Sequence, residues 1–241
     1  VIGKTNIDNI GISGVERELD ERLTKSDIPL HLTIDAGVQY TIREELAAAV
    51  KKFNAEGAVA ILMEVETNEV ISMVSLPDFN PNDGKLPNER AMFNFATQGV
   101  YEPGSVFKVF NTSLGLDSGK VKLTDKFDAS KPLKISYNTI RDYRGENRWL
   151  SVPEILIYSS NIGSAQMALK YGKEEQKKFL DKMGLLSVLD IEIAEKASPI
   201  VPKVWRESTI ATVAYGYGIS VTPLHVISSF SAVVNGGIYN N

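Results

Sequence analysis

The chain contains no cysteine. That excludes a disulfide scaffold, a thiol nucleophile and thiolate zinc ligation. It has two histidines, His31 and His225, far apart in sequence, so a histidine-rich metal site is not expected. It has no excess of basic residues: Lys and Arg number 26 against 30 Asp and Glu, a formal net charge of -4. A phosphate-backbone binder needs a basic face, so nucleic acid is not an expected partner. The longest apolar run, Ala58 to Met63, is far short of the ~20 residues that cross a bilayer. The N-terminus lacks the basic, apolar and small-residue order of a signal peptide. Gly3-Lys4-Thr5 lacks the upstream glycine of a phosphate loop. What remains is a 241-residue chain, 43% hydrophobic and 23% charged, long enough to bury a sizeable core.

The apolar periodicity predicts a helix over Ala36–Phe53, with Val38, Ile42, Leu46, Ala49, Val50 and Phe53 on one face. Asp35 suits its N-cap, and Gly57 lies just past its end. The β-branched runs 58–65 and 70–76, separated by Glu66–Glu69, predict a hairpin. Residues 14–23 read as a short charged helix, and 77–88 as a loop. A helix is expected from Ser105 to about Leu116, followed by irregular chain with short strands over 123–144. Ser151-Val152-Pro153-Glu154 has the capping-box pattern and opens a helix to about Tyr158. Separate helices are expected from near Ile162 and over 174–183, and Thr222-Pro223 opens a last one closed by Gly236-Gly237. One hairpin followed by many helices predicts an α+β domain whose sheet needs further strands. Trp149 and Trp205 are expected in the core or a site wall.

Two segments carry chemistry. In Tyr101-Glu102-Pro103-Gly104-Ser105-Val106-Phe107-Lys108, a Pro-Gly turn delivers Ser105 to a helix start. Lys108, three residues on, shares its face. A serine hydroxyl needs a neighbouring base. A lysine is that base only when neutral, a state that burial favours. The same spacing also fits a capping serine and a surface lysine, and Ser-x-x-Lys is common by chance. Tyr101, Phe107 and Tyr158 are expected to pack round the amine. The second segment, Ser159-Ser160-Asn161, falls between two helices, where a hydroxyl can relay a proton and an amide can hold a carbonyl. Helix capping is its plainer reading. Ser136-Tyr137-Asn138 repeats the Ser-x-Asn pattern, in an expected strand or turn.

Together these segments resemble the transpeptidase domain of class B penicillin-binding proteins. The resemblance extends through Gly11-Ile12-Ser13-Gly14-Val15-Glu16, Leu32-Thr33-Ile34-Asp35 with Gln39, Ser75-Leu76-Pro77, Phe79-Asn80-Pro81 and Tyr215-Gly216-Tyr217-Gly218 to Thr222-Pro223. It is closer to the division-type (septal) branch. It implies the fold of the penicillin-recognising serine transpeptidases: an antiparallel sheet flanked by helices, with an all-helical subdomain. Residues 1–32 would end an N-terminal module and linker, and 33–241 would form the transpeptidase domain. The resemblance implies that Ser105 is the acylated nucleophile, Lys108 its base, Ser159 a proton relay and Asn161 a substrate-positioning amide, with no metal and no organic cofactor. The implied partners are peptidoglycan stem peptides ending in D-Ala-D-Ala, β-lactam antibiotics, and a septal glycosyltransferase with other division proteins. The implied location is the bacterial inner membrane, with the domain facing the periplasm. The family's third motif, Lys-Thr-Gly or Lys-Ser-Gly on a sheet-edge strand, does not occur in these residues. The chain is therefore expected to stop short of that strand and to have an incomplete sheet. A β-lactamase or D,D-carboxypeptidase of the same superfamily, and a non-catalytic division-complex binding fragment, are the alternatives.

Overall fold

The computed structural model describes residues 1–83 and 86–240. The chain divides into two compact units, one of residues 1–100, 188–198 and 222–241, the other of 101–187 and 199–221.

The first unit opens with two short strands, β1 (Lys4–Thr5) and β2 (Gly11–Ser13), and two short helices, α1 (Gly14–Glu18) and α2 (Asp20–Lys25). The long helix α3 spans Ala36–Phe53, as the periodicity predicts. The Asp35 side chain accepts a hydrogen bond from the Val38 N–H at 2.9 Å. The helix ends earlier than Gly57 suggests, because Asn54 takes the left-handed C-cap conformation. Its apolar face is only half-buried, and Phe53 projects into solvent at 71% exposure. The hairpin follows: β3 (Ala58–Met63) pairs antiparallel with β4 (Val70–Leu76), with Ala58 opposite Leu76. Gln39 of α3 treats β4 as a neighbouring strand would. Its amide nitrogen donates to the Met73 carbonyl at 2.8 Å, and its oxygen accepts from the Met73 N–H at 2.9 Å. That pins the register of helix on sheet through one side chain. A single turn, α4 (Glu89–Met92), is capped by Asn88.

The second unit supplies the helical subdomain. A 3-10 turn over Gly104–Phe107 runs into α5 (Lys108–Asp117). Two small antiparallel pairs follow: β5 (Lys126–Asp128) with β8 (Trp149–Ser151), and β6 (Leu133–Ile135) with β7 (Asn138–Ile140). The capping box at Ser151 starts α6 (Val152–Ile157). Then α7 runs over Asn161–Lys182, where two helices are expected. The chain is helical on both sides of Gly172, whose φ of +83° and ψ of -177° break the helix there. Helix α8 (Glu207–Val213) is not anticipated by the sequence reading. Phe127, Leu150, Val152, Ile155, Ile162, Ala165 and Met167 form this unit's main core. Trp149 is 58% exposed, against expectation, because its strand pairs at the surface and buries its neighbour Leu150 instead.

The chain then returns to the first unit for α9 (Pro223–Val234), begun by Thr222, whose hydroxyl accepts from the His225 N–H at 3.2 Å. Leu224 joins Met73, Ala96 and Ile193 in that unit's core. Among the described residues the sheets are all two-stranded, and no helix is long and apolar enough to cross a membrane.

Candidate active site

Ser105 and Lys108 meet because the 3-10 turn places residues three apart on one face. The Lys108 Nζ lies 3.0 Å from the Ser105 Oγ. The serine is exposed, whereas the lysine is 1% exposed. The turn that carries Ser105 is fastened by backbone contacts within its unit. Tyr101 and Val221 exchange N–H···O=C bonds at 3.0 Å each, and the Gly104 N–H donates to the Gly216 carbonyl at 3.1 Å. The Glu102 carboxylate accepts from the Gly218 N–H at 2.7 Å. Gly216 must be glycine. Its φ is +80°, and a Cβ there would lie 2.2 Å from the Gly104 carbonyl oxygen.

Ser159 ends the turn between α6 and α7 with a φ of +53°. This left-handed backbone turns both its oxygens toward the amine. The Nζ of Lys108 is 2.6 Å from the Ser159 carbonyl oxygen and 2.8 Å from its Oγ. The Ser159 hydroxyl in turn lies 3.0 Å from the Ser105 Oγ. Among the described residues the lysine thus has three oxygen partners, and no carboxylate is among them. In the ammonium form its three protons have one acceptor each. In the amine form two N–H groups still donate to Ser159, and the lone pair can accept from the Ser105 hydroxyl. Burial lowers the Lys108 pKa from its usual value to about 8, against a raising influence from the Asp142 charge. The burial comes from α5 packing against α6 and α7 and from Phe107, which is 1% exposed. Tyr101 and Tyr158, expected to share that role, stay 48% and 42% exposed.

Asn161 occupies the first helical position of α7. Its amide donates to the Arg141 carbonyl at 3.1 Å rather than reaching Lys108. The preceding Ser160 is the N-cap: its hydroxyl accepts from the Gly163 N–H at 2.9 Å and donates to Asp142 at 2.8 Å. The second Ser-x-Asn, Ser136-Tyr137-Asn138, forms the β6–β7 turn, and Tyr137 there is fully exposed. One turn beyond Lys108 on α5, the Asn111 amide donates to the Ser164 carbonyl at 3.3 Å, and its oxygen accepts from the buried Tyr171 hydroxyl. Burial pushes the Tyr171 pKa up, so it remains a neutral donor. The sequence reading singled out neither Asp142, Glu102 nor Asn111. Their partners lie 18 to 116 residues away in the chain, and no local pattern announces them.

The chain belongs to the penicillin-binding protein transpeptidase family: the model of the penicillin-binding protein transpeptidase domain matches residues 58–241. Within that family the chain is similar to the probable peptidoglycan D,D-transpeptidase FtsI of Caulobacter vibrioides, at 34% identity over 98% of this chain and 41% of the relative. Among solved structures, a putative peptidoglycan glycosyltransferase from Atopobium parvulum superposes with a TM-score of 0.87 at 28% identity, over 98% of this chain and 59% of that one. The apo transpeptidase domain of Burkholderia pseudomallei penicillin-binding protein 3 gives a TM-score of 0.77 at 29% identity, over 88% of this chain and 61% of that one. The division-type relatives and the α+β architecture agree with the expectations raised by the motifs. The chain spans less than half the length of the curated relatives it matches.

Proposed function

We propose that this chain carries the acylating centre of a peptidoglycan D,D-transpeptidase that cross-links stem peptides during septal wall synthesis. The observation that carries the reading is the Lys108 amine, buried, without a carboxylate hydrogen-bond partner among the described residues and 3.0 Å from the Ser105 hydroxyl. Ser105 is the nucleophile. The neutral Lys108 takes its proton as the Oγ attacks the penultimate D-Ala carbonyl, giving a tetrahedral intermediate. The Ser159 hydroxyl, in contact with both groups, passes a proton to the nitrogen of the departing D-Ala. The acyl group then rests as an ester on Ser105 until an amine of a neighbouring stem displaces it. A β-lactam enters the same step, with its ring amide in place of the D-Ala-D-Ala bond. Asn161, with its amide already engaged by Arg141, bounds the donor site and needs a rotation to reach a substrate carbonyl.

The domain faces the periplasm in this reading, beside a septal glycosyltransferase, and residues 1–32 end a preceding module. A β-lactamase needs in addition a base that drives a water onto the acyl ester, so a lasting adduct separates the two readings. The test is intact-mass spectrometry after incubation with a fluorescent penicillin, with the labelled peptide mapped. A single stable adduct on Ser105 is expected in the wild type and none in Ser105→Ala. An adduct elsewhere, or rapid loss of the adduct to water, would overturn the reading.

A further inference from the structure

The loop 141–148 between β7 and β8 is tied to the Ser159–Ile162 turn by three hydrogen bonds. One Asp142 oxygen accepts from the Ser160 hydroxyl at 2.8 Å, the other from the Ile162 N–H at 3.0 Å, and the Arg141 carbonyl accepts from Asn161 at 3.1 Å. Ser160 is 1% exposed, so this anchor is internal to the fold. The turn it holds is the one whose left-handed Ser159 presents two oxygens to Lys108. Asp142 is also the one acid among the described residues whose charge acts on the amine.

We propose that Asp142 is a positioning residue for the Lys108 amine: it anchors the turn that delivers both Ser159 oxygens and supplies the anionic charge in whose field the amine gains and loses its proton. The inference rests on the reading of Lys108 as the base. Among the described residues Lys108 hydrogen-bonds to Ser105 on its own turn and to Ser159 from the α6–α7 turn, and the charge that acts on it is that of Asp142, which anchors the latter. Of the other charged side chains on the loop, Arg144, Glu146 and Arg148 are engaged elsewhere. The Arg144 guanidinium lies over the Tyr143 ring at 5.8 Å, and Arg148 pairs with Glu146 at 3.7 Å and Glu154 at 2.8 Å. No ion pair among the described residues reaches Asp142. The two roles separate chemically. An amide at 142 keeps an acceptor for the Ile162 N–H but removes the charge.

The experiment reads the Lys108 titration directly, by NMR of 13Cε-labelled lysine in the protein, in the wild type, Asp142→Asn and Asp142→Glu. The resonance is assigned by its loss in Lys108→Met. In Asp142→Asn the midpoint is expected to fall by roughly half a unit to one unit, because the ammonium loses its favourable field. Asp142→Glu restores the charge and should bring the midpoint back toward the wild type. A role confined to holding the turn would reduce the penicillin acylation rate but leave the midpoint in place. An unmoved or raised midpoint in folded Asp142→Asn therefore overturns the proposal. If Asp142→Asn does not fold, Asp142→Ser, which keeps a short capping oxygen, gives the same readout. A wild type that titrates as described but acquires no adduct on Ser105 would sink the functional reading and leave this inference intact.

Discussion

Replacing Gly216 by Ala tests how rigidly the turn that carries Ser105 is held. Three costs add. A φ of +80° strains any residue with a Cβ by about 1–2 kcal/mol. The new methyl would sit 2.2 Å from the Gly104 carbonyl oxygen and 2.5 Å from its nitrogen. Both are backbone atoms that cannot swing aside, and such overpacking costs about 1–3 kcal/mol. Relieving it stretches the 3.1 Å Gly104–Gly216 hydrogen bond, whose net worth is about 1 kcal/mol. The sum, about 3–6 kcal/mol, lowers Tm by roughly 6–24 °C in a chain of this size. Gly104 immediately precedes Ser105, so the displacement reaches the hydroxyl. A shift on the order of 1 Å at a reacting group costs roughly 100-fold in rate. Gly218→Ala is the internal control: its φ is +77°, but its Cβ would meet only the Thr212 Oγ at an ordinary 3.6 Å. It carries the strain alone, roughly 2–8 °C. Thermal unfolding by circular dichroism and fluorescent-penicillin acylation rates are the assays. Equal Tm losses in the two variants, or a Gly216→Ala protein that acylates at the wild-type rate, would refute the reasoning.

Three further outcomes are expected. The penicillin acylation rate should climb with pH through a midpoint near 8, where Lys108 becomes neutral, and Lys108→Met should lose acylation by at least ~1000-fold while remaining folded. The native state also binds this proton less tightly than the unfolded chain does. Stability should therefore rise as pH rises from about 8 to 10.5 and be lost again as pH falls through that window. Lys108→Met should flatten that rise in urea titrations, and an unchanged slope would count against the burial argument. At the start of α6, the Glu154 carboxylate accepts from both the N–H and the hydroxyl of Ser151 at 2.8 and 2.7 Å, and its pKa is drawn down to about 2. Ser151→Ala should lower Tm by about 2–4 °C, and the contribution of Glu154 should fade as pH drops from about 4.5 toward 2. An identical acid limb in Glu154→Gln would show that the box contributes nothing.

What could be read from sequence is what is local. The α3 helix, the β3–β4 hairpin and the caps at Asp35, Ser151 and Thr222 announce themselves through spacing and side-chain type within a few residues. The Ser105–Lys108 contact belongs here too, since three residues make one helical turn. Helix α8 escaped because its seven residues are rich in β-branched Thr, Ile and Val, and it forms by packing Ile210 and Ala211 into the core. The two helices expected from near Ile162 and over 174–183 are present as the two arms of α7, which meet at the non-helical Gly172. The anchoring of the site was illegible for a different reason. Asp142 to Ser160, Glu102 to Gly218 and Gly104 to Gly216 are contacts that only the folded topology brings together.

The left-handed turn at Ser159 bears on how the site can change under pressure. Of the two oxygens it offers the lysine, one belongs to the side chain and the other to the main chain. A mutation at 159 can delete the hydroxyl and the proton route with it, but every amino acid brings the same carbonyl. Any replacement that tolerates the turn keeps that oxygen on the lysine. In the mechanism proposed above, variation at this position is therefore free to trade the speed of the leaving-group step, and with it the response to an acylating drug, without dismantling the Ser105–Lys108 pair.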